Sequence, residues 1–464
     1  MESITNGLGL TFVVEIARQG GKNELSAQLE AYLLNLCRYK GGQIVKASPT
    51  FKPQTINSII RLTEHLNNVW NAGQWRKREG FMIEMDRART LFFSAEPNAN
   101  VVGATASLLL ECDEAQAITE LKWGKDFEPM GANTNVTTVM YGTAWTSKTM
   151  LAQTTKHLTR LQAKDGIRRV FKYDADVVGT HVPPYARYVA ARVAKLGRNH
   201  PLIKTQYYLE EIDATGGLFP KLRRALMRGD HPRQTEPTPG QRYALLIDVA
   251  GEDEQPGDEI ARQMVENPKR DSTALTVVEI EIKYGELPRY RAVDRKVWIG
   301  TKHTALHAQI NTLARHWNAI WIVIDATGIG AGLSSFLVKS LGERVIPLVF
   351  SGPVKSKLGW DFVAVVETGR YRDYIHDDAQ DTRQFWHEVE ACQYEVRAGP
   401  GRPIKWGVWE TVAYDGLIAH GHDDTLVSAA LVAVLDDQDW PETGPSGTVE
   451  TMDEIEEIDK AGWD

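Results

Sequence analysis

Three apolar runs in this chain stop abruptly at carboxylates: SLLLECDEAQ at residues 107–116, RYALLIDVAG with Asp248, and IWIVIDATGIGAG with Asp325. Runs this short and this apolar read as buried strands. A buried strand that ends in an acid carries that acid to a sheet edge, where open α/β folds bind their ligands. The fold class that follows is α/β with functional acids at strand ends.

The remaining pattern divides the chain in two. Apolar segments at 10–16, 43–47, 81–86, 91–95, 108–112, 136–141 and 169–173 alternate with helical periodicities, the habit of a parallel sheet. GDHPRQTEPTPGQ, residues 229–241, is rich in Pro and polar residues without periodicity and reads as a linker. Beyond it come strands at 243–248, 274–282 and 290–299, a helix over 303–317, a strand at 319–325, a helix over 332–341 and a strand at 345–350. Three strands, helix, strand, helix, strand is the ribonuclease H-like order. The domains expected are therefore 1–228, a linker at 229–241, 242–436, and an acidic tail at 437–464 with too little apolar content to pack.

Composition excludes few functions. No apolar run in the 464 residues approaches the roughly 18 that a membrane span needs, and the N-terminus lacks a signal-peptide layout, so a cytosolic protein is expected. Cys37, Cys112 and Cys392 form no C-x-x-C pair and read as reduced core residues. The net charge of −8 looks wrong for a DNA-handling protein. From Asp436 onward, however, eleven acids and one Lys carry −10, so the rest of the chain is at +2. A near-neutral body can still present basic patches to phosphates.

VVEIARQGGKNELSAQLEAYLL is an apolar strand, a turn and a helix, which is the setting of a phosphate loop. Backbone N–H groups of Arg18, Gln19, Gly20 and Gly21 would wrap a β-phosphate, the helix N-terminus would add its dipole, and Lys22 would reach the γ-phosphate. Ile16 stands where the first Gly is usual, and Asn23 where Ser or Thr usually meets magnesium. On these residues alone, a Gly-rich turn capping a helix is the competing reading. In SLLLECDEAQ, Asp113 is the candidate for holding magnesium and Glu114 for polarising the attacking water, with a helix N-cap as the alternative. The turn at 142–147, including Thr143, is a candidate phosphate sensor or a hydroxyl-rich helix cap.

In the second half, Asp248 and Asp325 end strands, and Asp423 and Asp424 open the apolar helix in HGHDDTLVSAALVAVL. Acids on apolar elements are costly unless cations compensate them. Two divalent ions about 4 Å apart would do so, one activating water and one stabilising the leaving oxygen of a phosphodiester. Asp248 is expected to bridge, with Asp325 second and Asp424 third. Asp423 is a further metal candidate and Asp271 an accessory. His420 and His422 are contacts to phosphate or metal, or plain cap residues. Gly328, Gly330 and Gly332 could admit a DNA backbone.

ARQGGK, LLLECDEAQ, GTAWTS, IDATGIGAG and GHDDTLVSAA, in this order between residues 17 and 430, resemble the large terminase subunits of tailed bacteriophages. The resemblance implies an N-terminal P-loop (RecA/ASCE-like) ATPase domain that translocates DNA, and a C-terminal ribonuclease H-like nuclease domain. The cofactors implied are ATP and Mg2+, with Mn2+ supporting the nuclease. The partners are double-stranded DNA, a small terminase subunit and the portal of a procapsid, with a ring of five subunits and no membrane. The setting is the host cytoplasm. Arg18 matches the arginine of the family's phosphate loop, and 142–147 its coupling turn. Only nine residues precede Leu10, where the family carries an adenine-contacting glutamine segment, so the start is shortened or the base is held differently. No Arg lies between Val101 and Asp113 to serve as a trans-acting finger.

The rival reading is a metal-dependent nuclease or resolvase with a degenerate, non-hydrolysing first domain, as Ile16 and Asn23 suggest. A two-lobed helicase does not need three separated acids in its second lobe, and a scaffold protein has no use for either acid set.

Overall fold

The structure is a computed structural model that describes residues 1–101, 103–213, 215–249, 272–283, 285–328, 330–397, 403–409, 411–412, 418–419, 422–438 and 440. Asp271, His420 and most of the acidic tail lie outside the described residues.

The first sheet has eight strands: β1 (Thr11–Ile16), β2 (Gly42–Ser48), β3 (Arg76–Arg78), β4 (Met82–Met85), β5 (Ala88–Ser94), β6 (Leu109–Cys112), β7 (Thr138–Gly142) and β8 (Val170–Tyr173). Their spatial order is β3-β4-β5-β2-β6-β7-β1-β8. All pairings from β5 across to β8 are parallel, as the alternating pattern predicts. The sheet is nevertheless mixed, because β3, β4 and β5 form an antiparallel edge. Tight turns with positive φ at Glu79, Gly80 and Asp86 reverse the chain there, and such turns join antiparallel neighbours only. Helices cover both faces, so successive residues of one strand enter different cores. Val13 packs on one side of β1, Val14 and Ile16 on the other.

The chain leaves this sheet through a short strand, β9 (Thr215–Gly217), whose partner comes much later. A six-stranded sheet follows, made of β10 (Arg242–Asp248), β11 (Ser272–Glu281), β12 (Arg289–Ile299), β13 (Trp321–Asp325), β14 (Val345–Leu348) and β15 (Tyr371–Arg372), in the order β14-β13-β10-β11-β12-β15. β10, β11 and β12 are antiparallel, whereas β13 and β14 continue in parallel from β10 through the helices His303–His316 and Gly330–Leu341. This is the ribonuclease H-like arrangement. Tyr243, Leu245 and Ile247 of β10 enter the core beneath those two helices. Ala244 and Leu246 enter the opposite core, beneath the helices Gly352–Glu367 and Asp424–Ala430. A strand covered on both faces needs an unbroken apolar run, and YALLI supplies it.

A small sheet joins β9 to the distant hairpin of β16 (Gln393–Val396) and β17 (Ile404–Gly407). Leu218, Phe219 and Met227 also pack into the second core. The polar stretch 229–241 has no helix or strand and is laid along the second domain: His231 bonds the Ala292 carbonyl at 2.7 Å, and the Gln234 N–H donates to Val293 at 2.8 Å. No described helix is long and apolar enough to cross a membrane. Cys112 and Cys392 are buried, Cys37 is half-buried, and all three are free thiols.

Candidate functional site

At the carboxyl edge of the first sheet, β1 runs into a tight loop and then the helix Lys22–Cys37. Gln19 and Gly21 take positive φ, 64° and 99°, and the Gly20 N–H closes the turn on the Ala17 carbonyl at 2.8 Å. Lys22 is buried at the helix start, its ammonium 3.5 Å from Asp113 Oδ1 and in contact with Glu114. Burial alone would depress the lysine, but the Glu114 and Asp113 carboxylates outweigh it and hold its pKa above the usual value. Glu114 itself takes a left-handed backbone, φ 48°, a strain of the kind that collects at functional sites.

From Glu114 a line of hydrogen bonds crosses the cavity. The Gln116 amide donates to Glu114, and Gln116 Oε1 accepts the Thr143 N–H at 3.3 Å. Loop, strand end and turn thus meet in one chain of contacts, Lys22–Glu114–Gln116–Thr143. The turn also begins a helix: Thr149 caps Met150–Asp165 by accepting the Ala152 N–H at 3.3 Å. The helix cap thus falls on Thr149, two residues beyond the 142–147 turn. Arg18 is held at the rim, its backbone N–H and side chain both bonded to Gln206 at 2.7 Å. Asn23 lines the cavity, and its Oδ1 is buried with no hydrogen-bond partner among the described residues. The whole cavity measures ≈ 820 Å³, and Val396 and Arg397 of the second domain form part of its wall.

The second group of acids lies on the other sheet. Ile247 is in register with Ile324, so Asp248 and Asp325 end neighbouring parallel strands. The helix Asp424–Ala430 packs on β11 and β10; Ser428 bonds Thr276 at 2.9 Å and the Leu246 carbonyl at 2.8 Å. That docking brings Asp424 to the same end, where its carboxylate accepts the Ser272 N–H at 3.0 Å and the Ser272 hydroxyl. Burial, then the charges of Asp424, Asp325 and Asp423, push Asp248 well above the usual carboxylate range, against a smaller pull from Lys355. Burial likewise raises Asp325 and Asp424, opposed by hydrogen bonds from Thr327 and Ser272 respectively.

Asp423 precedes the helix and sits 3.4 Å from Lys355 Nζ. His422 Nδ1 lies 4.0 Å from Asp424. Among the described residues no three Asp, Glu, His or Cys side chains converge closely enough to enclose a metal ion. Gly330 is required by close packing: a Cβ there would stand 2.5 Å from the Asp325 carbonyl oxygen, whereas Gly332 has open space.

Two participants were not singled out from sequence. Gln116 lay inside a quoted motif without a role, because its partners Glu114 and Thr143 belong to different segments. Lys355 is one of several lysines in the chain. Only its place in the first turn of Gly352–Glu367, held by the Trp406 indole on its carbonyl at 2.6 Å, brings it to the acids.

The fold and these two sites define a protein with an ATPase-like mixed-sheet domain followed by a ribonuclease H-like domain. Residues 265–433 match the family model described as Terminase RNaseH-like domain. No curated protein matches the chain in sequence. Among solved structures it is similar to the large terminase of a thermophilic bacteriophage, at 10% identity over 92% of this chain and 93% of that one, TM-score 0.47. It is also similar to the HK97 bacteriophage large terminase, at 11% identity over 91% and 90%, TM-score 0.36. A third likeness is to the large terminase nuclease of thermophilic phage G20c with bound cobalt, at 16% identity over 47% of this chain and 96% of that one, TM-score 0.33. The family match is confined to residues 265–433, within the second domain.

Proposed function

We propose that this protein is a viral DNA-packaging motor. It hydrolyses ATP in the first domain to drive double-stranded DNA into a procapsid, and cuts concatemeric DNA with the second. The observation that carries the reading is the pairing, in one chain, of two separate acid-bearing strand ends. Lys22, Asp113 and Glu114 surround a nucleotide-sized cavity, while Asp248, Asp325, Asp423 and Asp424 gather on a sheet of the terminase nuclease family.

In the first domain, Lys22 would release its carboxylates to bind the β- and γ-phosphates, with the Gln19 and Gly21 N–H groups beside them, since those of Arg18 and Gly20 are bonded to Gln206 and Ala17. Asp113 and the unpartnered Asn23 Oδ1 would hold Mg2+, which supplies charge neutralisation on the phosphates. Glu114, tethered by Gln116, would orient the attacking water, and Thr143 at the end of the same line would register loss of the γ-phosphate.

In the second domain the crowded carboxylates suit oxygen-seeking divalent ions, Mg2+ or Mn2+, which supply water activation and stabilisation of the leaving oxygen. Asp248, flanked by the other acids, would bridge, Asp325 and Asp424 would complete the set, and Ser272 keeps Asp424 oriented. The partners that follow are double-stranded DNA, a small terminase subunit and a portal, with subunits in a ring, all in the host cytoplasm. DNA contact is expected mainly to phosphates, and so to weaken steeply with salt.

Separated activities test the proposal. Lys22→Ala should abolish DNA-stimulated ATP hydrolysis and leave metal-dependent plasmid cleavage intact, and Asp325→Ala should do the reverse. A wild-type protein that cuts DNA but shows no ATPase with DNA and procapsids present would favour the rival reading of a nuclease or resolvase with an inert first domain.

A further inference from the structure

We propose that Arg397, a residue of the nuclease-like domain, is a ligand of the terminal phosphate of a nucleoside triphosphate held in the other domain, so that the nucleotide ties the two domains together. The inference rests on reading the ≈ 820 Å³ cavity as a nucleotide site.

The cavity is not built by the first domain alone. Val396 and Arg397, at the end of β16, close part of its wall. Register fixes which part. β16 runs antiparallel to β9, with Glu395 opposite Thr215, and the Tyr394 hydroxyl donates to the Asp213 carbonyl at 3.0 Å, so this end of β16 lies against the segment that holds Ile212 and Asp213. Those residues are themselves pinned to the turn after β7: Ile212 bridges Thr146, and its N–H donates to the Trp145 carbonyl at 2.9 Å. Arg397 therefore enters the wall on the side of the turn that carries Thr146, the turn whose Thr143 N–H is bonded to Gln116.

Charge points the same way. Of the other described cations on the cavity wall, Lys22 is paired with Asp113 and Glu114, Arg61 with Glu24 and Arg18 with Gln206, while Lys148 is exposed and carries the single-point ammonium rather than a two-pronged guanidinium. The Arg397 side chain is exposed, and no ion pair or hydrogen bond ties its guanidinium to another described residue; only its backbone N–H is committed, to the Pro403 carbonyl at 2.9 Å. A guanidinium whose donors are uncommitted among the described residues, at the end of a strand anchored on both edges, is suited to bidentate contact with phosphate oxygens.

The experiment uses full-length protein and fluorescent nucleotide titrations with Mg2+. Arg397→Ala should weaken a non-hydrolysable ATP analogue roughly tenfold or more, the scale of a lost charge-assisted contact, and change ADP affinity less than twofold. Arg397→Lys should recover part of the loss. ATP analogue should also protect the 229–241 stretch from protease in wild type but not in Arg397→Ala. Unchanged analogue affinity in Arg397→Ala, alongside lost binding in Lys22→Ala, overturns this inference and leaves the nucleotide site standing. Wild-type protein that binds no nucleotide overturns both.

Discussion

The indole of Trp145, in the turn that follows β7 of the first domain, meets the indole of Trp360 in the second domain edge-on, with ring centroids 6.5 Å apart. Trp145 is 6% exposed and belongs to the second domain's core, although it and its neighbours Thr143 and Thr146 also line the ≈ 820 Å³ cavity of the first. One turn is thus wedged between the cavity and the nuclease-like domain.

Truncating this side chain should loosen the domain junction. Trp145→Ala is expected to cost about 3–5 kcal/mol, the usual penalty for removing a buried aromatic. Calorimetry should show the first transition shifted down and the two domains melting further apart. An unchanged melting profile would show that the contact does not join the domains.

A buried charge pair between the helix Lys22–Cys37 and β2 sets a second expectation. Lys46 of β2 bonds Glu30 at 2.8 Å and Ser26 at 2.7 Å, while Ser26 also bonds Glu111 of β6 at 3.1 Å. Burial and the Glu30 charge raise the Glu111 pKa well above the usual value, against the pull of the Lys46 ammonium. Lys46→Met should destabilise by about 3–5 kcal/mol, because it strands Glu30. Adding Glu30→Leu should return part of that in urea denaturation. Equal losses in the single and double variants would refute the pairing.

At the nuclease-like site, Lys355 supplies positive charge among the acids, 3.4 Å from Asp423 and lowering both Asp248 and Asp325. A lysine there competes with divalent ions for the same carboxylates. Lys355→Ala should tighten Mn2+ binding in calorimetric titration by roughly fivefold, the effect of about 1 kcal/mol of removed repulsion, while weakening DNA. Weaker Mn2+ binding in the variant would reverse the role assigned to this side chain.

Acid should act at the domain junction through His200. Its Nδ1 accepts the Leu202 N–H at 3.2 Å and its Nε2 lies 3.0 Å from the Trp360 carbonyl, so the neutral ring donates from Nε2. Burial, with lesser repulsion from Arg223 and Arg192 and an opposing bond to Trp360, lowers its pKa to about 4 from 6.5. A histidine with a depressed folded pKa stabilises fully above 6.5 and loses that contribution as pH falls toward 4, at about 1.4 kcal/mol per unit at most. Denaturation midpoints measured from pH 7.5 down to 4.5 should therefore fall, and His200→Gln should flatten the slope over that window. The same slope in both proteins would remove His200 as its source.

Most of the framework was readable in the sequence because it is local. Short apolar runs such as YALLID and WIVID mark strands by their length, and their terminal acids mark the sheet edge, so every strand expected in the two large sheets appears within a few residues of its place. Direction was less legible. The antiparallel edge of β3, β4 and β5 differs from the parallel pattern only through turn geometry at positions such as Asp86.

The amino-acid sequence by itself determined where strands and helices form and which carboxylates end them, since periodicity and apolar run length act over neighbouring residues. Tertiary structure alone decided what Trp145, Lys46, Lys355 and Arg397 touch. Each meets a partner or a cavity wall supplied by a distant segment, and a lone Trp, Lys or Arg reads the same in one dimension whether it faces water or another domain. Such contacts arise from the docking of whole elements, whose free energy is spread over many buried side chains and is written at no single position.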